Sequence, residues 1–293
     1  MTCPPTDRGH PALVLSCGAG RPPRFVTMIH TLSSSPRPYS VHAETTQALP
    51  FRVRLARDER DLRRAVAVRV QAYGRHVPGM DEVLSAPEPD DFRSDAILLL
   101  AESKLDGQVL GSMRLITNIQ HPLHLEEEVE LPPQFHGRKM LEAWRLTVCP
   151  GAAARQVSSA LYKALYEVSF HADIDHVLVV ARSPVDRLYR AMQFQEAMPG
   201  KKIALANTLF LPHGLYYLPV KAADALWRAA ECPMYPFMAQ THHPDIEIDH
   251  DVVHERFHSR EVPAGGIGFV ATGKPDHHDA PAVYDSPESA RIC

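Results

Sequence analysis

The sequence predicts an α/β (α+β) fold, a mixed, mostly antiparallel, twisted sheet with helices on both faces. Three observations carry this. Strand-like and helix-like segments alternate through residues 51–238. Two apolar runs flank "KLDG" (104–107), whose Asp-Gly pair marks a hairpin and hence antiparallel strands. Later strands are separated by helical segments, which favours parallel neighbours.

The elements follow in order. "FRVRLA" (51–56) alternates apolar and polar residues, the period of a half-buried strand. In 57–73, Leu62, Val66, Val70 and Tyr73 recur near helical spacing. A linker rich in Pro, Asp and Glu, 74–95, follows. "AILLLAES" (96–103) and "QVLGSMRLIT" (108–117) form the hairpin, and "KMLEAWRLTV" (139–148) is the next strand. Residues 153–171 read as a helix, 176–181 as a strand, and 183–194 as a helix opened by Ser-Pro. "KIALANTLFL" (202–211) and "GLYYLPV" (214–220) read as two closing strands, and 221–231 as a final helix.

Residues 1–50 are rich in Pro, Ser and Thr without an apolar period, and are expected to be disordered. Residues 239–293 are polar and His-rich, and are expected to be a flexible tail. Between them, 51–238 is expected to be one domain. The chain of 293 residues is 45% apolar, enough for a substantial core. Its net charge of −4 argues against a general nucleic-acid binder. No apolar run reaches the ~20 residues of a membrane helix. The five cysteines are scattered and form no CxxC, which argues against a disulfide framework and fits a reducing cytoplasm.

The strand 139–148 poses the functional question. It is mostly apolar, yet carries Glu142 and Arg145, and an unpaired charge is costly to bury. Four stretches place it in a context. "RVQAY" (69–73), "PDDFRSD" (89–95), "GSMRL" (111–115) and "LEAWRLTV" (141–148) occur in that order. They resemble, respectively, an R-x-x-x-aromatic helix, an acidic loop with an aromatic, a G-x-x-R-L strand and an E-x-x-R strand. That set is similar to the GNAT acyltransferase superfamily, in its branch of acyl-homoserine lactone synthases and N-acyl amino acid synthases. "RLYRAMQF" (187–194) resembles the superfamily's last helix. The resemblance covers about 55–195.

The resemblance implies a GNAT-like fold and transfer of a fatty acyl group from a thioester to an amine. Acyl carrier protein or CoA would bring the acyl group as co-substrate. No cofactor would be bound permanently, and a small molecule would supply the amine. Glu142 is the candidate to accept the amine proton, with Arg145 and Arg114 beside it to position it or to bind a substrate carboxylate. An ion pair of Glu142 with either arginine is the structural alternative. Arg69 and Tyr73 on the first helix are candidates to clamp the acceptor, against a solvated helix face. Asp90, Asp91 and Asp95 are candidates to receive an amino group; if Asp90 is the family's first loop acid, Arg93 stands where the second belongs. Backbone N–H groups from Val148 to Gly151 would polarise the thioester carbonyl. Arg155 and Ser158 would meet the pantetheine phosphate at a helix start. There "RQVSSA" (155–160) has Ser158 where the superfamily has glycine. Tyr189 would protonate the leaving thiolate or pack under the sheet.

The nearest rival is acyl-homoserine lactone synthesis from S-adenosylmethionine; the tryptophan those enzymes carry before the acidic loop is absent from 74–95. The missing glycines of 155–160 disfavour an acetyl-CoA-dependent acetyltransferase. A non-catalytic binder of acyl groups or carrier protein is the alternative from another class. "HERFH" (254–258) matches the zinc signature H-E-x-x-H, but sits in a polar tail with no third ligand in view, so no metal site is expected. Cys149 follows the key strand without a histidine placed beside it, and reads as a packing residue.

Overall fold

A computed structural model describes residues 45–75 and 79–258. Strand β1 (Phe51–Leu55) leads into α1 (Glu59–Tyr73), whose start is capped by Asp58 accepting from the Asp61 N–H. Strands β2 (Ala96–Ser103) and β3 (Val109–Thr117) form the expected hairpin, and β4 (Met140–Val148) follows. Then come α2 (Ala154–His171), β5 (His176–Ala181), α3 (Val185–Ala191), β6 (Pro212–Pro219), α4 (Ala223–Ala229) and α5 (His250–His258).

The sheet runs β1-β2-β3-β4-β5-β6 in space. Neighbours are antiparallel except β4 and β5, which are parallel across the helix α2. This is the mixed, mostly antiparallel sheet expected. Alternation along β2 sends Leu99 and Ala101 to one face and Leu100 to the other. The first face packs under α2 in the main core. The second meets Ala65 and Val68 of α1. Gly111 of β3 is a contact point: a Cβ there would lie 2.8 Å from the Thr147 carbonyl oxygen and 2.9 Å from Val157 of α2.

Two features open the sheet. The parallel register of β4 on β5 runs only from Met140↔His176 to Glu142↔Leu178, although both strands continue. Beyond Glu142 they part. Over the same stretch, Ser112 faces Thr147 and Arg114 faces Trp144, so Met113 alone opposes Arg145 and Leu146. That is a β-bulge, and Arg145 sits there at φ +53°, a strained conformation for a non-glycine residue.

Several expectations are corrected. Residues 202–211 are not a strand. Ile203–Ala204 pairs briefly with β6, then the chain turns through Ala206–Thr208, with Leu209 and Phe210 both at φ +53°. The reversal that brings Ile203 opposite His213 leaves no room for a longer strand. Within 74–95 the chain forms short turns at Met80–Val83 and Pro89–Phe92. The domain also runs past both expected edges. Thr45–Thr46 pairs with Thr241–His242, and Ile246–Glu247 extends the sheet beside β1. Leu49, Val253 and Phe257 are buried in the main core. These apolar residues are sparse among polar ones, so composition hid them. The rest of both expected tails, 1–44 and 259–293, lies outside the described residues.

Candidate active site

The parted strands enclose a cleft of about 590 Å³. One wall is β4 from Ala143 to Val148; the other is Val180 and Ala181 of β5 with Leu188 and Tyr189 of α3. Ser158 and Tyr162 of α2 form the floor, and Tyr73, at the end of α1, borders it. Volume and apolar lining both suit a small-molecule or acyl-chain site. Of the expected site residues, Tyr73, Arg145, Val148, Ser158 and Tyr189 line this cleft. Gly151 and Arg155 are exposed near the start of α2 and do not line it. The Cys149 N–H, in the stretch expected to polarise a carbonyl, is engaged by the Leu110 oxygen at 2.7 Å.

Arg69, Arg114, Asp90 and Asp91 do not line the cleft, but form with Arg145 an ionic network next to it. Arg69 grips Asp91 in bidentate fashion at 2.6 and 2.7 Å. Arg114 reaches Glu88, Asp91 and Asp90, each at 3.1 Å. Arg145 holds Glu88 at 2.9 and 2.6 Å and the Asn207 carbonyl at 3.0 Å. Its guanidinium also lies over the Tyr73 ring, 5.6 Å from the centroid. Arg69 and Arg114 are each 1% exposed, so Arg69 is no solvated helix face.

Three guanidinium groups thus meet three carboxylates. Burial pushes the Asp91 carboxyl up, but the Arg69 hydrogen bond and the charges of Arg69 and Arg114 outweigh it and hold the group below the usual carboxylate range. The Asp91 carboxylate also accepts from the Glu88 N–H, which pins the loop. Asp95 is fully buried and paired with Arg93 at 2.9 and 2.8 Å. All three loop aspartates are therefore occupied by arginines, and Arg114 and Arg145 by loop acids. Glu88, which joins the arginines, was not singled out in the sequence. Its signal was the proline-flanked acidic run 87–91.

Glu142 pairs with neither arginine. It is 1% exposed, and neither carboxylate oxygen meets a hydrogen-bond partner. Burial pushes its pKa up to about 8, against a weaker downward pull from the Trp144 indole and the Leu125 backbone. It does not itself line the cleft, but shares a strand face with Trp144, which does and whose indole nitrogen is also unpartnered. The Tyr189 phenol is pushed up to about 12 by burial.

Cys149 packs beside Leu100 and Val109, and burial raises its thiol pKa. On α5, His254 and His258 stack with ring centroids 4.2 Å apart, while His250 stacks on His171. Among the described residues no three His, Cys, Asp or Glu side chains gather as a metal site. No described helix is long and apolar enough to cross a membrane.

A mixed sheet whose middle strands part around a cleft, with a bulge on one arm and a helix start beside it, is a GNAT-like fold. Residues 65–207 match the family described as N-acyl amino acid synthase FeeM. The solved structure of FeeM, an N-acyl amino acid synthase from uncultured soil microbes, is 12% identical, covering 61% of this chain and 95% of that one at a TM-score of 0.46. MesI, a CoA-dependent acyl-homoserine lactone synthase, is 22% identical over 61% of this chain and 95% of that one, at 0.42. An acyl-CoA N-acyltransferase from Pseudomonas aeruginosa is 14% identical over 57% and 98%, at 0.40. No curated protein sequence matches the chain. Over residues 65–207, just under half of its length, the chain is similar to the N-acyl amino acid synthase family, a likeness that supports an N-acyltransferase of the GNAT type.

Proposed function

We propose that the protein moves a fatty acyl group from a thioester, carried by acyl carrier protein or CoA, to the α-amine of an amino acid. The observation that carries this is the cleft itself: apolar, open between β4 and β5, with the bulge at Arg145 and Leu146 on its wall. The acyl chain would lie against Val148, Val180, Ala181 and Leu188. The bulge takes the backbone of Arg145 and Leu146 out of the regular ladder, so their N–H groups are better oxyanion donors than the engaged Cys149 N–H. A phosphate of the donor would meet the start of α2, near Gly151, Arg155 and Ser158.

The reaction balances as follows. Glu142 accepts a proton from the acceptor ammonium. The amine nitrogen attacks the thioester carbonyl, and oxygen gains charge. The attacking nitrogen loses its second proton to solvent, the intermediate collapses, the C–S bond breaks, and the thiolate takes a proton from Tyr189. A carboxyl poised near neutral pH is a stronger base than a surface one, which suits this role for Glu142. Arg114, Arg145 and Arg69 act as positioning residues, holding the acidic loop against β3 and β4. Tyr73 and Arg145 fix one edge of the cleft.

The test is a mass-spectrometric product screen. Purified protein meets octanoyl- and palmitoyl-carrier protein, the matching CoA thioesters, the twenty amino acids and S-adenosylmethionine. A new acyl amino acid is expected, and it names donor and acceptor together. An acyl lactone, or no acylated amine with any donor, would overturn the proposal.

A further inference from the structure

Arg182 is a cation that neither the motifs nor the mechanism above employ. It follows the last residue of β5 and lines the cleft, half-buried. Alternation along β5 sets its side. Val177, Val179 and Ala181 enter the core under α2, while Leu178 and Val180 pack on the opposite face with Trp144 of β4. The same alternation carries Arg182 to that opposite face. The antiparallel register Ala181↔Gly214 brings it beside His213 of β6, which also lines the cleft. Lys202 stands at the same place, since the next residue, Ile203, pairs with His213.

This basic group has no acid. None of the described residues lining the cleft is Asp or Glu. Among the described residues, no carboxylate or carbonyl accepts from the Arg182 guanidinium. His213 is engaged elsewhere, its Nδ1 lying 2.6 Å from the Leu211 carbonyl oxygen. Burial lowers its pKa, the Leu211 bond raises it, and the positive charges of Arg182 and Lys202 lower it further. The three motif arginines differ, because Asp91, Asp90 and Glu88 already match Arg69, Arg114 and Arg145. A carboxylate entering the cleft must displace a loop acid to reach Arg145, but finds Arg182 open. Arg75 also lines the cleft, but it is exposed beyond the end of α1, where water and salt screen its charge.

We propose that Arg182 is a specificity-determining residue that binds the carboxylate of the acceptor amino acid. A guanidinium offers paired N–H donors that match the two carboxylate oxygens. Lys202 adds a second positive charge to the same corner. The start of α2, where the donor phosphate would lie, belongs to the other face of the sheet, so Arg182 serves the acceptor. An amine without a carboxylate loses this contact.

The inference rests on the proposed transfer to amino acids, and its test separates the two. Wild type, Arg182→Gln and Arg75→Gln meet octanoyl- and palmitoyl-carrier protein and the matching CoA thioesters. The acceptors are the twenty amino acids and, in parallel, their carboxamides. Wild type is expected to favour the amino acids by about tenfold or more in kcat/KM, the worth of a hydrogen bond to a charged group. Arg182→Gln is expected to lose that preference through a raised KM for the amino acid, with the donor KM unmoved. Arg182→Lys, which keeps the charge without the paired donors, is expected to recover part of it. A wild type that takes carboxamides as readily as amino acids would overturn the inference while leaving acyl transfer standing. So would a change confined to the donor KM, or a lost preference in Arg75→Gln and not in Arg182→Gln. A wild type silent with every amine would overturn both. The wild-type comparison decides even where a variant unfolds, and matched thermal melts separate lost recognition from a damaged fold.

Discussion

At the scale of single residues, Glu142 and Arg145 answer the question their strand raised in different ways. Arg145 is buried because Glu88 compensates it. Glu142 is buried without a hydrogen-bond partner, and burial disfavours its charged form in place of a pairing that would favour it. The consequence for stability has a definite sign. The folded pKa of about 8 lies above the unfolded value of 4.5, so the unfolded chain loses this proton first as pH rises. The Glu142 contribution is intact below pH 4.5, declines between 4.5 and about 8, and is flat above. Glu142→Gln is expected to abolish turnover, keep the fold, and gain stability over wild type near pH 8, on the order of a few kcal/mol. Turnover and thermal melts at pH 5 and 8 check this; full activity would remove Glu142 from the mechanism. Asp91 runs the other way, with stability lost as pH falls through its depressed pKa. Asp91→Ala leaves Arg69 and Arg114 short of a buried partner and is expected to cost about 3–5 kcal/mol in denaturant unfolding.

At the scale of elements, the long segments were legible and the short ones were not. The strands 51–55, 96–103, 109–117, 140–148 and 176–181 and the helices 59–73 and 154–171 fall within a residue or two of their expected limits. Each has a sustained period of two or 3.6, or an unbroken apolar run. The bulge at Arg145 has no such signature, since it depends on the register against β3. Site residues divide the same way. The charged types in "PDDFRSD" and "LEAWRLTV" marked the region, but pairing of loop acids with three arginines is a long-range fact that local spacing cannot supply. Gly111 is a case where the motif had a physical cause, the close approach of α2 and β4 to β3. Gly111→Ala puts a methyl group against the Thr147 carbonyl and is expected to destabilise by about 1–3 kcal/mol. Chemical unfolding measures it, and a change within experimental error would show that α2 yields.

For the whole molecule, the corrected boundary matters most. α5 adds Val253 and Phe257 to the core, and Arg256 of that helix donates to the Ala96 oxygen at the start of β2. Lys163, in the middle of α2, donates to the Phe237 carbonyl at 3.1 Å and also to the Thr241 carbonyl. The segment after α4 is therefore a strap across the domain. Phe257→Ala is expected to cost about 3–5 kcal/mol, as for an aromatic removed from a core. A calorimetric melting temperature equal to wild type would contradict this.

The pairing of Ile246–Glu247 with β1 also has a meaning for synthesis. The chain makes β1 early and covers its outer edge nearly 200 residues later. Until then a growing polypeptide presents a bare strand of unpaired N–H and C=O groups, the kind of surface on which chains recruit one another. A nascent chain that stalls after β6 has its cleft strands and its three arginines, yet remains open along that flank. Translation must run past residue 247 before this pairing can cover Val53 and Arg54 on that edge.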